Sequence, residues 1–145
     1  MTVVVGVDGP GSYAAIRLAA QEAGYRAAPL LAVMAYSGER ALGAPAARPV
    51  ATLRTAEDER VVAETMLGDI VRDALGDQAD DVACRTVVGL PGRALIAAAR
   101  DVDAQLIVLA ARGEARMARV LGVVSQHVLR NAPCPVLVVP ETRNQ

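Results

Sequence analysis

The chain alternates short unbroken apolar runs with longer stretches in which apolar residues recur every three or four positions. Val3 to Val7 is the first run. Rich in β-branched residues, it predicts a strand buried on both faces. Asp8-Gly9-Pro10-Gly11 turns the chain, and Ser12 is placed to cap the helix that follows. Ala15, Leu18, Ala19 and Ala23 share one face of that helix, and Gly24 is its expected end. Leu30 to Ala35 predicts a second strand. Residues 37–54 contain Gly38, Gly43, Pro45 and Pro49, show no period and predict a long loop of the kind that is functional or mobile.

Thr55 opens a long helix, with Glu57 and Asp58 favouring its positive end. Ala63, Leu67, Ile70, Val71 and Ala74 recur at helical spacing until Gly76. Val82 to Val88 is a third strand. Gly89-Leu90-Pro91-Gly92 leads into a helix carrying Leu95, Ala98, Ala99 and Val102, and Leu106 to Leu109 is a fourth strand. Residues 111–119 form a polar, Arg-rich loop. Leu121, Val124, Val128 and Ala132 mark the last helix. Val136 to Val139 is the fifth strand, behind Pro133-Cys134-Pro135.

No repeat or linker interrupts this order, so residues 1–140 read as one domain and 141–145 as a tail. Strands alternating with helices imply an α/β fold of three layers, α/β/α, around a five-stranded parallel sheet. Ligands of such sheets sit beyond the carboxyl ends of the strands, where the winding reverses. The turns to inspect are therefore Asp8–Gly11, Tyr36 onward, Gly89–Gly92 and Ala110–Gly122.

Composition narrows the chemistry. A length of 145 residues suits a single domain. A formal net charge of −1 argues against a nucleic-acid partner held by bulk charge. All 15 basic residues are Arg, which excludes a Walker-A lysine, a Schiff-base lysine and a lysine base. Phe and Trp are absent, so Tyr13, Tyr25 and Tyr36 are the only side chains able to stack on a ligand ring. No run approaches the roughly 18 apolar residues of a membrane span, and the start lacks the basic region of a signal peptide. Cys84 and Cys134 are too few for a disulfide scaffold. A cytoplasmic protein with reduced thiols and no membrane partner is expected.

The turns resemble those of the universal stress protein family. Val4-Val5-Gly6-Val7-Asp8-Gly9 is similar to the family's first strand and aspartate, and Gly89-Leu90-Pro91 to its Gly-x-Pro step before a helix. Leu121-Gly122-Val123-Val124-Ser125, then Val128, then Asn131 through Val139, is similar to its last helix and strand. The resemblance covers nearly the whole chain and implies strand order 3-2-1-4-5. Cys84 and Cys134 would then lie at opposite edges, four strand spacings or roughly 19 Å apart, too far for an intrachain bridge.

Nucleotide-binding members of the family carry Gly-x-x-Gly, nine residues, then Gly with Ser or Thr. Glycines let backbone N–H groups reach phosphate oxygens, and the hydroxyl adds a donor at a helix N-terminus. This chain departs from the pattern three times. Ala110 holds the first glycine position. Only eight residues, Glu114 to Leu121, separate Gly113 from Gly122, and Val123 holds the hydroxyl position. Losing a hydroxyl contact to a charged group costs on the order of ten- to a hundredfold in affinity. The resemblance places Asp8, Gly9, Ala35, Gly89, Ala110, Gly113, Gly122, Val123 and Val124 around an ATP or AMP, with magnesium only if ATP is bound. Val33 and Pro91 would be further parts of the wall.

Arg112, Arg116 and Arg119 crowd the altered loop. They could replace lost donors on an anion, or be exposed arginines of a solvated loop, which is the more usual case. Asp8 could face the ligand or cap the first helix. His127 is the only histidine, which excludes a His pair within the chain, and is expected at the surface or in packing. Ser125 is expected in the packing of the last helix or bonded to its own backbone. Cys134 reads as a small buried residue. The resemblance further implies a two-fold homodimer through Val136, Leu137, Val138 and Val139, which would close an exposed edge.

The expectation is a homodimeric regulatory module of the stress response, with nucleotide binding impaired by its motif and no catalytic residues. Two alternatives stand beside it. One is a nucleotide-independent dimer acting through an unidentified regulatory protein. The other is a weak metal-dependent phosphohydrolase.

Overall fold

A computed structural model describes residues 1–36, 55–111 and 122–140. The expected loop over residues 37–54, most of the Arg-rich loop and the tail lie outside the described residues. Strands β1 (Thr2–Gly6), β2 (Leu30–Tyr36), β3 (Val82–Val88), β4 (Ala104–Ala111) and β5 (Val136–Pro140) alternate with helices α1 (Tyr13–Arg26), α2 (Ala56–Leu75), α3 (Pro91–Asp101) and α4 (Val123–Asn131). The five strands are parallel, in the order β3-β2-β1-β4-β5.

The sheet sorts its side chains by the two-residue period of a strand. Val3 and Val5 of β1, Leu106 and Val108 of β4, and Ala32 and Met34 of β2 join one core with Ile16, Ala19, Leu67 and Val71 of α1 and α2. Val4, Ile107, Leu109, Leu31 and Val33 join a second core with Leu95, Ile96, Ala99 and Val128 of α3 and α4. Val3, Val4 and Val5 have no exposed surface at all, because β1 is central and covered on both faces. With no Phe or Trp, both layers are filled by aliphatic residues, many of them alanine, and alanine lets helices lie close to the sheet.

Boundaries depart from the sequence reading in instructive ways. Helix α1 does not end at Gly24. It runs to Arg26 and closes through Ala27, which takes a left-handed φ of 50°. The Ala27 N–H donates to the Gly24 carbonyl at 3.2 Å and the Ala28 N–H to the Ala23 carbonyl at 2.9 Å. That bond pair is a Schellman closure, and Pro29 then prevents continuation. β1 ends at Gly6 rather than Val7, though the Val7 N–H still donates to the Val33 carbonyl at 2.8 Å. β4 extends beyond the expected Leu106–Leu109 at both ends. In α4, Ala132 is the closing residue rather than part of the helix.

Thr55 begins α2 as expected. Its hydroxyl accepts from the Asp58 N–H while the Asp58 carboxylate accepts from the Thr55 N–H, both at 3.1 Å, a reciprocal capping box. Gly76 closes α2 at φ 61°, a conformation that favours glycine. Cys84 and Cys134 are free, on an edge strand and just before the opposite edge strand. Cys134 is half-buried rather than buried.

Candidate functional site

The chain winds outward from β1 through β2 to β3, then crosses back to β4 and β5 on the other side. The reversal falls between β1 and β4, and a cavity of about 210 Å³ opens there at the carboxyl ends of the strands. Gly6 reaches it from the end of β1 and Val7 from just beyond, Val33 and Ala35 from β2, and Leu109 and Ala110 from β4. Pro91 and Leu95 of α3 and the first residues of α4 close the sides. Gly6 lets α3 pack closely at this point. A Cβ there would stand 3.0 Å from Leu95 Cδ2, where α3 crosses the end of β1.

Among the described residues three polar side chains belong to this wall: Asp8, Ser12 and Ser125. Asp8 follows β1 and is exposed. Its carboxylate accepts a hydrogen bond from the Ser12 hydroxyl at 3.0 Å, and its own N–H donates back to the Ser12 oxygen at 3.1 Å. Neither side chain caps α1: Ser12 holds the N-cap position, but no first-turn N–H donates to its side chain, and both capping expectations are thereby corrected. Ser12 is 1% exposed and fastens the turn to itself. Gly9 makes the turn possible at φ 153°, a region open to glycine and costly for any other residue.

Helix α4 begins at Gly122 in extended backbone, with no side-chain cap. The first intrahelical N–H is that of Gln126, which donates to the Gly122 carbonyl at 3.0 Å. The N–H groups of Val123, Val124 and Ser125 precede it, in the first turn, where a helix supplies no intrahelical acceptor. Val123 turns its side chain outward, 85% exposed. Ser125 is 2% exposed, lines the cavity and takes no hydrogen-bond partner among the described residues. It is buried on the inward side of α4 beside Val128, as the packing expectation has it, and makes no back-bond to a described backbone group. No fully enclosed side-chain polar atom is left unpaired among the described residues. The Ser125 Oγ therefore keeps its contact with the cavity.

Of the residues the sequence singled out, Asp8, Ala35, Ala110, Gly122, Val123 and Val124 come together on this cavity, with Val33 and Pro91. Gly9 and Gly89 do not line it. They shape the turns that deliver Asp8 and Pro91, Gly89 at φ 133° with its N–H on the Tyr36 carbonyl at 2.9 Å. Gly113, Arg112, Arg116 and Arg119 lie outside the described residues. Sequence reasoning missed Gly6, Leu95 and Leu109, and it gave Ser12 and Ser125 other roles. The signal for Ser125 was available: it stands three residues beyond the helix-opening Gly122, one turn into α4.

His127 is a packing residue, as expected. A Cβ on Gly92 would fall 2.8 Å from its Cδ2, so the imidazole lies against the first turn of α3. Among the described residues no group of three His, Cys, Asp or Glu side chains converges as a metal site. No helix among them is long and apolar enough to cross a membrane. Burial pushes the thiols of Cys84 and Cys134 above the usual cysteine range, which makes both poor nucleophiles.

Fold and cavity place the chain among doubly wound α/β domains whose ligand sites lie at the switch point. Comparison with known proteins narrows that class. The model of the universal stress protein family matches residues 1–140, and the chain belongs to that family. It is 40% identical over 86 residues to universal stress protein Sll1388 of a Synechocystis species, a match covering 57% of this chain and 54% of that one. The chain thus aligns with about half the length of this curated relative. A crystal structure of a universal stress protein in complex with cAMP is 30% identical, with a TM-score of 0.66 over 98% of both chains. UspA from Lactobacillus plantarum is 26% identical, with a TM-score of 0.70 over 95% of this chain and 97% of that one.

Proposed function

We propose that the chain is a nucleotide-responsive regulatory module of the stress response, working as a homodimer and not as an enzyme. One observation carries the nucleotide reading. The cavity at the switch point gathers Asp8, Ala35, Ala110 and Gly122, the positions the family motif assigns to an adenine nucleotide, together with an uncapped helix start. A helix N-terminus presents free N–H groups and about half a positive charge to an anion. The cAMP complex of a relative with 30% identity supports the same ligand class.

The roles would divide by chemistry. Val33 and Ala35 would line the base, Asp8 would accept from a sugar hydroxyl, and the start of α4 would meet phosphate. ATP or AMP is the ligand in this reading, and magnesium enters only with ATP. The cytoplasm, where such nucleotides are held, is the fitting compartment. Calorimetric titration of the purified chain with ATP and AMP, with and without magnesium, tests it. Saturable binding at or below tens of micromolar that weakens in Asp8→Ala is expected. No heat, and no nucleotide released on denaturation, would leave a nucleotide-independent interaction module. Magnesium-dependent turnover lost in Asp8→Ala would instead favour the weak phosphohydrolase.

The dimer rests on β5. Val136, Leu137, Val138 and Val139 form an uncharged, half-buried strand at the edge of the sheet. Such a strand is a template for pairing, and a two-fold contact between copies closes it. Sedimentation equilibrium should show a dimer, and Val138→Lys should shift it to monomer with the far-ultraviolet circular dichroism retained. A monomer at all concentrations would sink the proposal.

A further inference from the structure

We infer that Ser12 is the positioning residue of Asp8: its buried hydroxyl sets the carboxylate for a sugar hydroxyl and so gives the site a preference for ribose over deoxyribose. The inference rests on the adenine-nucleotide reading above and adds to it a residue that never touches the ligand.

The bonds between the two residues lead there. The Asp8 N–H donates to the Ser12 oxygen at 3.1 Å, and the Ser12 hydroxyl donates to Asp8 Oδ1 at 3.0 Å. A serine hydroxyl has one proton. Here that proton is committed to the carboxylate, and the N–H of the same aspartate meets the other side of the oxygen. The two bonds close a ring, and turning the carboxylate away opens it.

The two ends of the pair are unequal. Ser12 is 1% exposed, and its own N–H donates to the Gly9 carbonyl at 3.0 Å. Pro10, with its fixed φ, stands between them. Asp8 is exposed. The serine is thus the anchored end and the carboxylate the presented end, and both line the cavity beyond β1. The backbone bond from Ser12 to Gly9 already closes the turn, so the side-chain pair does something further. It holds in one orientation a carboxylate that would otherwise sample several rotamers. A group set in advance loses less freedom when a ligand arrives.

Chemistry names what such a carboxylate reads. In its ionised form it accepts and does not donate, so it suits a hydroxyl or amino donor and not a phosphate oxygen. The sugar hydroxyls are the donors that Asp8 takes in the reading above. A hydrogen bond to a charged group is also the stronger kind, which makes a missing hydroxyl costly.

The test is a calorimetric series on the whole chain with adenosine, 2′-deoxyadenosine, 3′-deoxyadenosine and adenine. It compares the wild type with Ser12→Ala and Ser12→Thr. The wild type should bind adenosine about ten- to a hundredfold more tightly than at least one of the deoxynucleosides, the worth of a hydrogen bond to a charged group. Ser12→Ala should shrink that preference by about threefold or more, and Ser12→Thr, which keeps the hydroxyl, should restore it. Adenine has no sugar, so its unchanged affinity would show that fold and cavity persist in the variants. A preference unchanged in Ser12→Ala overturns the inference. So does an equal loss for adenine and adenosine, the result expected of a serine that only supports the turn. Equal wild-type affinity for adenosine and both deoxynucleosides overturns the inference alone and leaves the adenine reading standing. No binding of any of the four overturns both.

Discussion

Ser12 and Ser125 are the two buried polar residues among those described, and both line the cavity. Their neighbourhoods differ. Ser12 closes a loop of bonds with Asp8, taking the Asp8 N–H and giving its proton to the Asp8 carboxylate. Its polar capacity is used inside the protein, and the two bonds tie the turn after β1 together. Ser125 is as deeply buried and has no such partner among the described residues. One serine holds the protein's own backbone; the other lines the cavity with no such bond among the described residues. Equal burial therefore does not mean equal role, and the hydrogen-bond accounting separates them.

The sharpest way to break this contrast is to delete each hydroxyl in the protein without ligand. Ser12→Ala removes both hydrogen bonds between Ser12 and Asp8, at a cost of about 1–3 kcal/mol. The melting temperature should fall by several degrees. Ser125→Ala removes no hydrogen bond among the described residues and should stay within about 0.5 kcal/mol of the parent. Chemical denaturation of the two variants side by side measures both values. Equal losses would mean that Ser125 is held by the protein after all.

The support under the α4 side can be tested next. Gly92→Ala puts a methyl group 2.8 Å from His127 Cδ2, and overpacking of this kind typically costs 1–3 kcal/mol. Alanine recovers part of that through helix propensity, up to about 1 kcal/mol, so a net loss of about 1 kcal/mol is expected. His127→Ala in the same chain should remove the clash. The double-mutant cycle should show a coupling of about 1 kcal/mol. The single variant should also weaken AMP binding while leaving the Asp8–Ser12 turn intact, because α3 and α4 carry Pro91 and Ser125 but not that turn. A coupling near zero would show that α4 shifts freely over α3.

Strand order and cavity were legible to very different depths. The alternation of apolar runs and helical periods was enough for the layers, and the similarity to the stress protein family supplied the order β3-β2-β1-β4-β5. Asp8 and Gly122 were legible because each follows or opens an element, where a turn signal marks it, and Ala35, inside β2, only because the family resemblance assigned that position. Gly6 and Leu95 were not. Their meeting depends on how closely α3 crosses the end of β1, a packing distance with no periodic trace. Ser12 carried a capping signal that its neighbour overrode, since Asp8 offers both a donor and an acceptor within reach. Ser125 sat in a helical pattern that says which face is inward but not whether the inward space is filled. Gly24 looked like a helix end only because glycine usually is one; the Schellman bonds formed two residues later, ahead of Pro29.

That closure supplies the smallest effect and a control for the others. Ala27 sits at φ 50°, a conformation that costs a residue with a Cβ about 1–2 kcal/mol. Glycine would escape the penalty but would give back about 0.5–1 kcal/mol through the greater freedom of its unfolded chain. Ala27→Gly should therefore gain about 0.5–1 kcal/mol, read as a shift of the denaturation midpoint at constant slope. The site is at the carboxyl ends of the strands and Ala27 follows the other end of α1, next to the start of β2. AMP affinity should not move. If it does, stability and binding are linked through the whole sheet, and losses of affinity elsewhere could no longer be assigned to the cavity wall. If it does not, a variant that keeps its stability and loses AMP can be explained only at the cavity wall.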